Sequence, residues 1–79
     1  MQVRVRYFAA FRDATGVETE HIESSAATVG ALFGEMVQRF EGLQHEPAAL
    51  VAINDELCDW DTPFADGDEV LFFPPVAGG

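Results

Sequence analysis

The sequence predicts an α+β fold, in which a mixed sheet of four to five strands carries one main helix across one face. Three observations lead there. An alternating segment opens the chain, an amphipathic stripe of helical period fills its middle, and short β-branched or aromatic runs close it.

In the first segment Val3, Val5 and Tyr7 alternate with Arg4, Arg6 and Phe8, the pattern of a strand with one face toward a core. Ala9 to Ala14 reads as a short helical turn that Thr15-Gly16 ends, and Val17 to Glu23 as a second, more exposed strand. After Thr28, residues Val29, Leu32, Phe33, Met36, Val37 and Phe40 share one helical face. The Thr28 hydroxyl is placed to cap this helix, and Gly42 to end it in a left-handed conformation. Gly30 and Gly34 each cost a helix interior about 1 kcal/mol relative to alanine, so burial of the stripe must hold the helix together.

Leu43 to Pro47 reads as a polar connecting loop, and Leu50-Val51-Ala52-Ile53 as a buried central strand. Asn54-Asp55 marks a turn before a brief edge strand, Glu56-Leu57-Cys58. Asp66-Gly67-Asp68 punctuates a loop before the last strand, Glu69 to Phe73. A helix joining an early hairpin to later strands must cross one sheet face, which is the ubiquitin-like β-grasp arrangement. Residues 1–73 are expected to form that domain, and residues 74–79 a flexible, protruding tail.

Composition narrows the function. A chain of 79 residues, 48% of them hydrophobic, supports one core. So small a domain buries only roughly 60% of its unfolded surface, so chemistry belongs on a surface, a tail or an interface. Fourteen acidic residues face four arginines and no lysine, for a formal charge of −10. That field repels phosphate backbones and argues against nucleic-acid binding; it suits a partner with a basic docking face, or serves solubility. The single cysteine, Cys58, excludes an intrachain disulfide. No run approaches the roughly 20 apolar residues of a membrane span, and a cytoplasmic protein is expected.

Pro74 and Pro75 lack amide hydrogens, so the last strand cannot extend through them and the chain must leave the sheet. Val76, Ala77, Gly78 and Gly79 then taper to a backbone narrow enough to enter a channel. The Gly79 carboxylate is inert until activated; adenylation would open it to a thiol, a persulfide or an amine. Elsewhere, His21, His45 and Cys58 lack metal-ligand spacing, so no metal is expected, and the acids between Asp59 and Glu69 do not match a calcium loop. Trp60 reads as a cap over a small core or an interface anchor. No Gly-rich phosphate loop is present, so this chain is expected to bind no cofactor and ATP to be bound by a partner.

FFPPVAGG at Phe72–Gly79, preceded by DGDEV at Asp66–Val70, resembles the ending of the small-subunit family of molybdopterin synthase, one group of ubiquitin-like sulfur carriers. RYFAAFRDATG from Arg6 and LVAIN from Leu50 are similar to that family's first strand and turn and to its central strand. The resemblance implies a carrier that is not catalytic alone. A ubiquitin-activating-type enzyme adenylates Gly79, a desulfurase or rhodanese supplies sulfur, and the thiocarboxylate serves the large synthase subunit in a heterotetramer. There it donates sulfur to a pyranopterin precursor of the molybdenum cofactor. The resemblance also implies docking through Phe8, Leu57 and Phe73, against an alternative of core packing that is stronger for Phe73, and through the tail from Pro74 to Ala77. Arg12 aligns with a basic element of the motif, with a solvated role as its alternative. Other readings of the same ending are a carrier for thiazole or thionucleoside synthesis, a ubiquitin-like modifier, and a plain interaction domain.

Overall fold

The computed structural model describes residues 1–75. Five strands and two helices follow in the order β1 (Gln2–Tyr7), α1 (Ala9–Thr15), β2 (Thr19–Glu23), α2 (Val29–Arg39), β3 (Leu50–Ile53), β4 (Glu56–Cys58) and β5 (Glu69–Phe73). The strands form one mixed sheet of order β2-β1-β5-β3-β4, with β1 and β5 parallel and the other neighbours antiparallel. A mixed five-stranded sheet with a long helix across it is the expected β-grasp.

Strand parity builds the core. Val3, Val5 and Tyr7 of β1, Val51 of β3, and Val70 and Phe72 of β5 lie on one sheet face and are almost wholly buried. Against them α2 lays Val29, Leu32, Phe33 and Met36. The Phe33 ring meets Phe72 edge-on at 4.7 Å, and Trp60 stacks parallel to Phe72 at 5.9 Å while its indole N–H donates to the Ala49 carbonyl at 3.3 Å. Trp60 is thus a half-buried cap over the core. The Thr28 hydroxyl accepts the Ala31 amide at 3.1 Å, as a cap should. Gly30 has its own reason: a Cβ there would lie 2.8 Å from the Trp60 carbonyl oxygen, so only glycine lets the loop come this close.

Four expectations need correction. The second strand starts at Thr19 rather than Val17, because the Thr15 hydroxyl donates to the Val17 carbonyl at 2.9 Å and accepts its amide at 3.3 Å, folding that stretch into a turn. The helix α2 does not end on a left-handed Gly42; the chain turns extended at Phe40 (φ −113°, ψ 110°), and the Leu43 amide bonds the Phe40 carbonyl. Leu43 is consequently buried rather than part of a polar loop. The middle strand is β5, not Leu50–Ile53, and Leu50 is 53% exposed. The left-handed glycine that ends a helix is Gly16 (φ 76°), after α1, which forms two full turns.

Candidate functional site

The face of the sheet opposite α2 belongs to the other parity: Arg4, Arg6, Leu50, Ala52, Leu57, Glu69, Leu71 and Phe73. Register groups them. Leu50 lies across from Phe73, Ala52 from both Leu71 and Leu57, and Arg6 beside Leu71. The result is a divided face, apolar toward β3, β4 and the end of β5, and polar toward β2.

Three local features shape the apolar half. First, Phe8 follows β1 without changing its parity, and its ring stacks on Phe73 at 4.5 Å with the planes 17° apart. Second, the chain then turns through Ala9 at φ 49°, a left-handed conformation costing an alanine roughly 1–2 kcal/mol. That turn sends Phe11 into the core while Phe8 stays outside. Third, Asn54 and Asp55, at φ 51° and 72°, form a two-residue hairpin turn that sets Leu57 opposite Ala52. The Asn54 side chain ties this hairpin to the middle strand, donating to Asp68 and accepting the Glu69 amide, each at 3.0 Å.

Together Phe8, Ala9, Ala10, Leu50, Leu57, Phe73, Pro74 and Pro75 line an open groove of ≈ 630 Å³. Leu71 and Ala52 are only 3% and 2% exposed despite lying on the outer face, covered by their larger neighbours. Leu57 is 63% exposed, Leu50 53%. Two large exposed leucines beside a stacked aromatic pair form the kind of patch that marks a binding surface rather than scattered surface apolarity.

The sequence-predicted docking residues Phe8, Leu57 and Phe73 therefore stand together with Pro74 and Pro75. Phe73 belongs to the outer face, not the core. Val76, Ala77, Gly78 and Gly79 lie outside the described residues. Leu50, Ala9 and Ala10 were missed. Leu50 was legible as the parity partner of Phe73 once β3 and β5 are paired; Ala9 and Ala10 carry no signal of their own. Arg12 is exposed. Among the described residues, no group of three or more His, Cys, Asp or Glu side chains could hold a metal ion, and no helix is long and apolar enough to cross a membrane.

The polar surroundings are well satisfied. The buried Tyr7 hydroxyl donates to Glu20 at 2.8 Å, and Arg39 pairs with the same carboxylate at 2.8 Å. Burial first, then the hydrogen bond to Glu20 and that carboxylate's charge, push the Tyr7 phenol far above its ordinary range, leaving it a fixed donor on the core side. No such group faces the groove, whose chemistry is apolar contact. The groove leads into the last described residues, Pro74 and Pro75.

Comparison with known proteins agrees with the fold. The ThiS family matches residues 5–79. The molybdopterin synthase sulfur carrier subunit of Escherichia coli is 36% identical, over 98% of this chain and 99% of that protein. Small archaeal modifier protein 3 of Haloferax volcanii is 33% identical over the full length of both. Among solved structures, the crystal structure of SAMP1 from Haloferax volcanii superposes with a TM-score of 0.83 at 26% identity, covering all of both chains. A chain from the complex of subunits 1 and 2 of the molybdopterin-converting factor of Helicobacter pylori does so at 0.67 and 34%, again over both full chains. The chain belongs to the ThiS family of β-grasp proteins, among relatives named as sulfur carrier subunits of molybdopterin synthase.

Proposed function

We propose that this chain is the sulfur-carrier small subunit of a molybdopterin synthase, working in the cytoplasm, with Gly79 as its reacting group. The observation that carries the reading is an apolar platform whose rim, Phe73-Pro74-Pro75, is the stretch that immediately precedes the Val76–Gly79 tail in the sequence. An adenylating enzyme of the ubiquitin-activating type docks there, binds ATP itself and converts the Gly79 carboxylate to an acyl-adenylate, releasing pyrophosphate. A persulfide on a desulfurase or rhodanese attacks the acyl carbon and AMP leaves. A thiol then reduces the acyl disulfide and frees the thiocarboxylate.

The loaded carrier exchanges partners on the same platform and inserts Val76 to Gly79 into the large subunit. In the resulting heterotetramer the thiocarboxylate gives its sulfur to a pyranopterin precursor. Such exchange favours a surface that is apolar but modest, since each partner must also leave. The H. pylori complex of subunits 1 and 2 supports a large-subunit partner of this kind.

Intact mass spectrometry tests the chemistry. After incubation with the adenylating enzyme, ATP and a persulfide donor, the chain should gain the mass difference between sulfur and oxygen, and deletion of Gly79 should abolish that gain while leaving folding intact. An unchanged mass, with a control carrier converted alongside, refutes it. A second reading, attachment of Gly79 to lysines of other proteins, draws support from the likeness to small archaeal modifier protein 3. The activated chain offered a lysine-bearing protein distinguishes them: an amide-linked adduct favours modification, and sulfur transfer to the pterin favours the carrier.

A further inference from the structure

Four cations serve the whole chain, and the structure uses them unequally. Arg4 reaches Glu69 at 3.4 Å and donates to His21 at 3.1 Å. Arg39 holds Glu20, and Arg12 is exposed on α1. Arg6 combines what the others show singly: like Arg39, which lies 4.8 Å over the Phe40 ring, it sits against an aromatic, and like Arg12 it has no acidic partner among the described residues. Its guanidinium carbon sits 5.1 Å from the centre of the Phe8 ring, which itself stacks on Phe73. Its lateral neighbours on the sheet are Thr19 and Leu71, neither of them acidic. Among the described residues no carboxylate pairs with it.

This is an unusual placement in a protein of net charge −10, where acids outnumber cations by 14 to 4. A guanidinium held against an aromatic ring has lost part of its rotamer freedom, while its planar fork can still take a carboxylate with two parallel hydrogen bonds. It stands at the seam between the apolar and polar halves of the outer face, next to the groove.

We propose that Arg6 is a specificity-determining residue of the docking platform, and that the protein partner it fits presents a carboxylate beside the apolar group that fills the groove, on a face otherwise basic. The inference rests on the reading that the platform docks protein partners. The two charge features do different work. General complementarity between an acidic carrier and a basic face speeds encounter in many orientations. A single reversed pair favours only the orientation that brings the partner's acid to Arg6, and penalises any partner that places a cation there.

The test measures binding of the full chain to the large synthase subunit, comparing wild type with Arg6→Gln, Arg6→Glu and Leu57→Ala, with Trp60 fluorescence checking that each variant is folded. Arg6→Glu should weaken binding about tenfold, between the small effect of an exposed ion pair and the large one of a desolvated pair. Arg6→Gln should weaken it less. A single Asp or Glu to Lys substitution on the large subunit should restore binding to Arg6→Glu but not to Leu57→Ala. If the face were uniformly basic, Arg6→Glu would bind as tightly as wild type or more tightly, and that result overturns the assignment. If instead Leu57→Ala binds as wild type while Arg6→Glu is weakened, the platform reading fails and the partner's carboxylate does not sit beside a filled groove. Absence of wild-type binding overturns both.

Discussion

Replacing Gly30 and, separately, Gly34 by alanine makes the same chemical change on one helix with opposite expected outcomes. Both substitutions remove backbone freedom from the unfolded chain and gain about 1 kcal/mol of helix propensity. At Gly34 nothing lies within 4 Å of the new methyl group, so the gain stands. At Gly30 the methyl would sit 2.8 Å from the Trp60 carbonyl oxygen, which also accepts the Gly30 amide at 2.8 Å. The obstacle is backbone, so the loop around Trp60 must move, weakening that hydrogen bond and the stacking of Trp60 on Phe72. Overpacking of this kind costs about 1–3 kcal/mol and loss of the bond about 1 kcal/mol more, which exceeds the propensity gain. Net destabilisation of about 1–3 kcal/mol should follow, and since 1 kcal/mol moves the midpoint of so small a domain by about 4–8 °C, the two variants should separate widely in Tm. Thermal unfolding followed by the fluorescence of the single tryptophan reads this directly. A Gly30→Ala midpoint as high as that of Gly34→Ala would refute the close approach of the Trp60 loop to α2.

Three other outcomes are expected. Leu57→Ala should leave folding stability within about 0.5 kcal/mol, because the side chain is 63% exposed, while weakening association with the large subunit; denaturation and calorimetry on the same samples check both. The Tyr7 phenol ionises higher in the folded chain than its ordinary value of 10.0, so the stability it contributes is whole below that pH and is lost as pH rises beyond it. With one tyrosine in the chain, tyrosinate absorbance should appear only with unfolding, and Tyr7→Phe should flatten the alkaline fall in Tm. Added salt should raise Tm by screening the self-repulsion of a −10 chain, yet slow association with a basic partner, as stopped-flow mixing across ionic strength would record.

Most of the fold was legible because each strand and the long helix obey their periods. Val3, Val5 and Tyr7 alternate cleanly, and Val29, Leu32, Phe33 and Met36 recur at helical spacing, so the sheet's inner face and its helix are visible in the sequence itself. The errors fell where side chains compete with periodicity. The Thr15 hydroxyl captures Val17, and Leu43 returns to the core from a segment whose neighbours are polar. The apolar outer face was half legible. Alternation placed Phe8 outside, but Leu50 looked like core because an apolar run has no parity until its partner strand is known. That Ala52 and Leu71 lie on the same outer face emerges only from the register between β3, β4 and β5. Arg6 was read as ordinary strand alternation, since the Phe8–Phe73 stack beneath it joins residues far apart in sequence.

The position of β5 has a mechanical consequence. It runs through the middle of the sheet, parallel to β1 on one edge and antiparallel to β3 on the other. Tension applied through the segment beyond Phe73 therefore pulls along a strand gripped on both sides, and loads the two ladders in shear, so their bonds must fail together. A partner that tugs on this end, or a protease that engages it, meets its greatest resistance at the first strand it tries to extract. The end that leaves the sheet at Phe73 is thus anchored where the domain is hardest to unravel.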